Sequence, residues 1–254
     1  MKIFKSIILS GALVACAASA APTTPAPKPL SFRADAKVEV DSDGKLVKVE
    51  ASPDLPEGVR RYIEQEVSKW TFKRNPREGE AGNAISYIDL GACAVPTPTG
   101  GYSMGLAMHG NGPRIAGGGK WWIAPELQSV VGRYELDQTV TVHFGVHLDG
   151  SAKFVSLDGL DANRKAKVAV ERAVAAWFRA LRFDPEQIGG RPVATQETLP
   201  IAFTTSNGPV TKEDFLANAL QSPQCRQAAA AGQAVGPGLR AAALDSVIAI
   251  EPAI

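Results

Sequence analysis

Hydrophobic and polar residues alternate through Val38-Glu-Val-Asp-Ser-Asp-Gly-Lys-Leu-Val-Lys-Val-Glu-Ala51, and Asp43-Gly44 interrupts the alternation with a turn signal. The same arrangement returns around Asp149-Gly150 in Phe144-Gly-Val-His-Leu-Asp-Gly-Ser-Ala-Lys-Phe-Val-Ser-Leu157. Leu46, Val49 and Ala51 stand at the same offsets from the first glycine as Ala152, Val155 and Leu157 from the second. A period of two broken by Asp-Gly predicts a β-hairpin in each case. Beyond each hairpin the period lengthens to that of a helix. Val59, Ile63, Val67 and Trp70 recur at helical intervals, and Val170, Val174, Phe178 and Leu181 repeat those intervals. Phe72-Lys-Arg-Asn-Pro76 and Phe183-Asp-Pro185 then end both helices with a proline. A further β-like run follows each stop, Ala84 to Leu90 and Val193 to Phe203. The chain therefore predicts β-β-α-β twice, a unit in which one helix covers one face of a small antiparallel sheet, the α+β layer solution.

Composition changes this picture little. The chain has 254 residues, 45% hydrophobic and 21% charged, with a net charge of +1. That balance is ordinary for a globular protein and offers no basic stripe for nucleic acid. The first residues say more. Lys2 and Lys5, an apolar run from Ile7 to Ala15, and Ala18-Ser19-Ala20 read as an export signal of residues 1–20. Leu13-Val14-Ala15-Cys16 also resembles a bacterial lipobox, which would make Cys16 the lipidated first residue of the mature chain. Both routes lead out of the cytoplasm, to the periplasm or to a lipid anchor at the outer membrane. A proline-rich tether spans 21–30, a degenerate first unit 31–95, a Gly/Pro-rich connector 96–120, the second unit 121–207, and a C-terminal helix and tail 208–254. Thr211 can cap that last helix, while Leu244, Val247 and Ile248 have no periodic support and are expected to be weakly ordered. Cys93 and Cys225 make an even pair suited to a disulfide in an oxidising compartment, with two separate buried thiols as the alternative.

The second unit resembles the C-terminal domain of TonB, the periplasmic energy transducer. The likeness rests on Ala124-Pro125-Glu126-Leu127, the Asp149-Gly150 hairpin, Trp177, Leu181-Arg-Phe183-Asp-Pro185, Gly189-Gly190-Arg191-Pro192 and the closing Leu199-Pro-Ile-Ala-Phe203. The family's opening diproline is missing, and so are its uncleaved membrane anchor and long proline-rich spacer. The resemblance implies an envelope protein that is not itself a motor-coupled transducer. It implies binding of an envelope protein or peptide, such as an outer-membrane receptor, by pairing along the closing strand, with Val193, Thr195, Leu199, Ile201 and Phe203 as the partner-binding positions. Family members also dimerise there, so a second copy is an alternative occupant.

Three motifs bear on chemistry. Gly101-Tyr-Ser-Met-Gly105 fits G-x-S-x-G, which would make Ser103 a nucleophile with His109, His143 or His147 as base. Its flanks are a proline-rich stretch and a glycine-rich one, unlike a strand-to-helix elbow, and alternation of Tyr102, Met104 and Leu106 reads instead as an extra strand beside Ala94. His143 and His147 on a strand stand about 13 Å apart, too far to share a metal. Gly117-Gly-Gly-Lys120 has Arg114 where a phosphate loop needs its first glycine. No enzyme, metal or cofactor is expected. A structural envelope lipoprotein is the alternative to a binding protein, and Trp121-Trp122 is either core or an exposed recognition patch.

Overall fold

The computed structural model describes residues 29–75, 77, 81–98, 100–118, 124–161, 163–203, 221–230 and 242–253. The export signal with Cys16, nearly all of the tether, Trp121-Trp122 and the helix expected from Thr211 lie outside the described residues.

The architecture is mixed α+β, with every strand pair antiparallel. The first hairpin is β1 (Leu30–Val40) and β2 (Leu46–Ala51). Ala34, Ala36, Val38 and Val40 are buried on one face of β1, as the period of two requires. Helix α1 (Glu57–Val67) covers this face through Ile63 and Val67. After the short strand β3 (Thr71–Arg74) comes β4 (Ala84–Pro96), which pairs with β1 along its length, from Leu30↔Ala94 to Val40↔Ala84. The other edge of β4 receives β5 (Tyr102–Gly112), in a register from Tyr87↔Gly112 to Pro96↔Tyr102. Ala94 therefore stands opposite Met104, and the extra strand forms where the alternation placed it.

A two-residue strand, β6 (Arg114–Ile115), leads through helix α2 (Pro125–Arg133) into β7 (Gln138–Val146) and β8 (Ala152–Asp158). Helix α3 (Arg164–Ala180) starts at Asn163, whose Oδ1 accepts the Ala166 N–H at 3.1 Å, a cap bond that satisfies one free helical donor. Its buried stripe of Ala166, Val170, Ala173, Val174, Trp177 and Phe178 follows the helical period. The short strands β9 (Phe183–Asp184), β10 (Gln187–Ile188) and β11 (Arg191–Pro192) precede β12 (Thr195–Phe203), which returns beside β7. The strand orders β4-β1-β2 and β12-β7-β8 are the same. One detail also matches: Gly44 and Gly150 both have positive φ, and a Cβ on them would meet the carbonyl oxygens of Phe72 (3.1 Å) and Phe183 (2.2 Å).

Each sheet has its own core, but the two interlock. Phe144, Phe178, Phe183 and Trp177 centre the second, with Phe144 and Phe178 ring centroids 4.4 Å apart. The first core takes Ile188 and Val193 from the second half, because β10 pairs with the start of β4. Helix α4 (Pro223–Ala230) lies on β5 so closely that a Cβ on Gly105 would come within 2.2 Å of the Gln224 carbonyl oxygen. The Cys93–Cys225 disulfide, with Cα atoms 4.9 Å apart, ties it to β4.

The tail is not loose. Strand β13 (Ala242–Ala243) pairs with β12, and β14 (Ile248–Glu251) pairs with β3. Val247 and Ile248 are fully buried in the first core. Periodicity does not reveal this because a strand of four residues carries little local signal, and its partners lie in β3, far back in the sequence.

Candidate functional site

The charged face of the first sheet leads to the site. Arg33, Asp35, Tyr87 and Asp89 alternate with the core positions of β1 and β4, so they project from the face opposite that core. The register sets Asp35 directly across from Asp89. Like charges in that position repel, and each needs a cation. Arg33 pairs with Asp89, and Arg114 reaches Asp35 with Nη1 at 3.0 Å. Arg114 is delivered by β6, whose pairing with β9 puts it opposite Asp184, and its Nε donates to that carboxylate at 2.8 Å. Its guanidinium also lies over the Tyr87 ring, 4.6 Å from the centroid. Partial burial works against the Arg114 charge, yet the bonds to Asp184 and Asp35 raise its pKa above the ordinary value. Burial raises that of Tyr87.

These groups form one wall of a cavity of about 470 Å³ between the two sheets. Phe144, Phe183, Glu197, Thr198 and Leu199 of the second half close the other side. Glu197 is 8% exposed, and its Oε1 has no hydrogen-bond partner. Burial, followed by the nearby Glu186 carboxyl, pushes its pKa up to about 9, so it is a neutral acid at pH 7. Glu186 is fully buried and likewise raised by burial. It accepts the Ser246 hydroxyl at 2.6 Å and the Val247 N–H at 3.1 Å, which fastens the C-terminal segment across the junction.

The expected partner-binding side chains are elsewhere. Val193 belongs to the first core, and Ile201 and Phe203 to the second. Thr195 is 1% exposed, and Leu199 packs against the second core. They alternate onto the buried face of β12, so as side chains they are not a row open to a peptide. The backbone edge is a separate matter. Ala242 and Ala243 cover it at Thr198 and Glu197, the Leu244 N–H donates to the Gln196 carbonyl at 3.0 Å, and the Gln196 N–H donates to Asp245 Oδ1 at 2.7 Å. Even-numbered residues of β12 thus point their backbone groups outward and odd ones bond β7. Pro200 lacks an N–H only on the outer side, the one place in a sheet where that costs no ladder bond. Among the described residues, nothing pairs with the outer side of Leu199 to Phe203.

Ser103 lies within β5, opposite Val95, and not on a strand-to-helix turn. His143 Nε2 is 2.8 Å from Asp158 Oδ2, an exposed pair across β7 and β8. His109 sits over Gly91, where a Cβ would come within 2.4 Å of its Nε2, and burial lowers its pKa. No group of three metal-ligating residues occurs among the described residues, nor a helix long and apolar enough to cross a membrane.

Nothing in the motifs pointed to Arg114, because its partners Asp35 and Asp184 are 79 and 70 residues away. Glu197 did carry a signal: it falls in phase with Thr195, Leu199, Ile201 and Phe203, the buried side of a strand. No protein-family model, curated protein or solved structure matches the chain.

Proposed function

We propose that this is an exported envelope protein of two TonB-C-like β-β-α-β units, which binds an extended protein or peptide partner along the outer edge of β12 and catalyses no reaction. The common strand order and the paired contacts of Gly44 and Gly150 support the duplication. The Cys93–Cys225 bond fits an oxidising compartment, in keeping with the expected export signal.

One observation carries the binding role. In the first sheet the outer edge of β4 accepts β5 as a long added strand, while in the second sheet the corresponding strand, β12, is covered among the described residues from Gln196 to Thr198. Leu199 to Phe203 offers the Pro200 carbonyl and both backbone groups of Ala202 to an incoming strand. An added strand gains affinity from such backbone bonds. The exposed side chain of Ala202 faces away from the core, so selectivity would come from that face.

The test places a photo-crosslinking residue at Ala202 in the full chain and captures partners from native envelopes, with Ala202→Pro as the comparison. Proline there removes an outward N–H and leaves the β7 ladder intact. Crosslinks from position 202 to one extended segment, suppressed by excess wild-type chain but not by excess Ala202→Pro, would support the proposal, and a second copy of the chain as the captured species would identify a homodimer. Equal binding by Ala202→Pro, or no specific crosslink at Ala202, would leave the structural lipoprotein role in its place.

A further inference from the structure

The inter-sheet cavity holds a buried carboxyl that the edge-pairing role does not use. Two cations line it, and both are committed: Arg33 to Asp89, and Arg114 to Asp35 and Asp184. Asp54 and Glu197 line it too. Asp54 accepts the Ser52 hydroxyl at 2.7 Å, and Glu197 keeps an oxygen without any hydrogen-bond partner although more than nine-tenths of the residue is buried. A buried polar atom left unsatisfied costs free energy, and native proteins tolerate few of them without a function or an occupant. Phe32, Leu55, Ile115, Phe144, Phe183 and Leu199 give the wall an apolar and aromatic part, beside the polar Ser31, Asn111 and Thr198. The volume is in the range of small-molecule sites, which combine apolar walls with a few directing polar groups.

We infer that the cavity binds an organic ammonium ion carrying an apolar stem, with the Glu197 carboxylate as its counter-ion and the phenylalanine rings around its stem. An anion would meet the Asp35 and Asp89 carboxylates and arginines already bridged to them. An ammonium group supplies the donors that Glu197 Oε1 lacks, and a charge-assisted bond of this kind is the stronger sort. Aromatic rings stabilise a cation held over their faces.

The free protein holds Glu197 protonated at pH 7, so capture of the cation expels one proton from its carboxyl to the solvent. Glu186 before β10 and Asp245 after β13 act on Glu197 by their charge and the Thr195 side chain favours its ionised form, while Arg33, Asp35, Asp54, Asp89 and Arg114 line the same cavity. Glu186 and Asp245 oppose its ionisation, and the ligand's charge must overcome them. A primary ammonium group stays charged up to about pH 10, so affinity should rise about tenfold per pH unit up to about pH 9, where Glu197 itself titrates.

The test is isothermal titration of the full chain with 4-phenylbutylamine at pH 6, 7 and 8, in two buffers of different ionisation enthalpy. 4-Phenylbutanol and 4-phenylbutyrate serve as the neutral and anionic counterparts, and Glu197→Gln keeps the shape of the protonated side chain without its charge. The amine should bind at least tenfold more tightly than either counterpart at pH 8, gain about tenfold from pH 7 to 8, and release about one proton per site. In Glu197→Gln the pH slope and at least tenfold in affinity should vanish. Equal or tighter binding of the carboxylate, an unchanged slope in Glu197→Gln, or no amine binding at millimolar concentration would overturn the inference. None of these outcomes touches Ala202, so the edge-pairing proposal stands or falls separately.

Discussion

Replacing Glu197 with glutamine should stabilise the ligand-free protein, by an amount that depends on pH. Burial is the main cause that pushes the folded carboxyl up to about 9, from an ordinary 4.5. A raised folded pKa means that the folded state holds more protons than the unfolded state between those two values. Stability from this group is therefore complete below about pH 4.5 and is lost as pH climbs towards 9. At pH 7 the unfolded carboxylate is about 2.5 units past its pKa, and at about 1.4 kcal/mol per unit the folded state forgoes about 3.5 kcal/mol. Glutamine does not titrate, so Glu197→Gln recovers that sum at pH 7, about 1.4 kcal/mol more at pH 8, and almost nothing near pH 4.5. Urea unfolding of both proteins at pH 5, 6, 7 and 8, with the disulfide intact, reads the difference directly from the midpoints at constant m. Glu186 also titrates high, but it is present in both proteins and its contribution largely cancels. A difference that stays constant from pH 5 to 8, or a glutamine variant less stable at every pH, would show that Glu197 is ionised in the folded protein and would refute the reasoning.

Gly150→Ala should destabilise far more than Gly44→Ala. Both need positive φ, which costs a side-chain-bearing residue roughly 1–2 kcal/mol. Only Gly150 would also drive its Cβ to 2.2 Å from a carbonyl oxygen, against 3.1 Å at Gly44, and the two denaturation midpoints should separate accordingly. Cys225→Ser removes a bridge across a sequence separation of 132, for which chain entropy gives roughly 5 kcal/mol. The same loss should follow reduction of the wild type by dithiothreitol, and a midpoint shift under 1 kcal/mol in both would contradict it.

The hairpins and both long helices were legible because each is specified by neighbours in sequence. Asp43-Gly44 and Asp149-Gly150 set the turns, and the change from a period of two to 3.6 marks α1 and α3. What joins the halves was not legible. Gln187 and Ile188 look like the approach to a closing strand, and only the tertiary fold sets them against Ile85 and Ala84. The cavity combines both cases. Glu197 stands in a visible alternation of buried positions, whereas Arg114 becomes meaningful only when β6 meets β9. The partner-binding row follows from the resemblance and from the closing strand's place at an edge, and its side chains turn out to lie on the buried face, a direction that an edge position alone does not set.

The C-terminal segment fixes the order of events on the nascent chain. Asn75 donates to the Ser246 carbonyl across 171 residues, and β3 takes its strand pairing from β14. At about 5–20 residues per second, translation delivers that partner on the order of 10–30 s after Asn75 has emerged. Through that interval Phe72 and the apolar face awaiting Val247, Ile248 and Ile250 stay open to water. The half made first is thus finished last, and the newborn polypeptide must be shielded by a chaperone, or kept dilute, until its final stretch arrives.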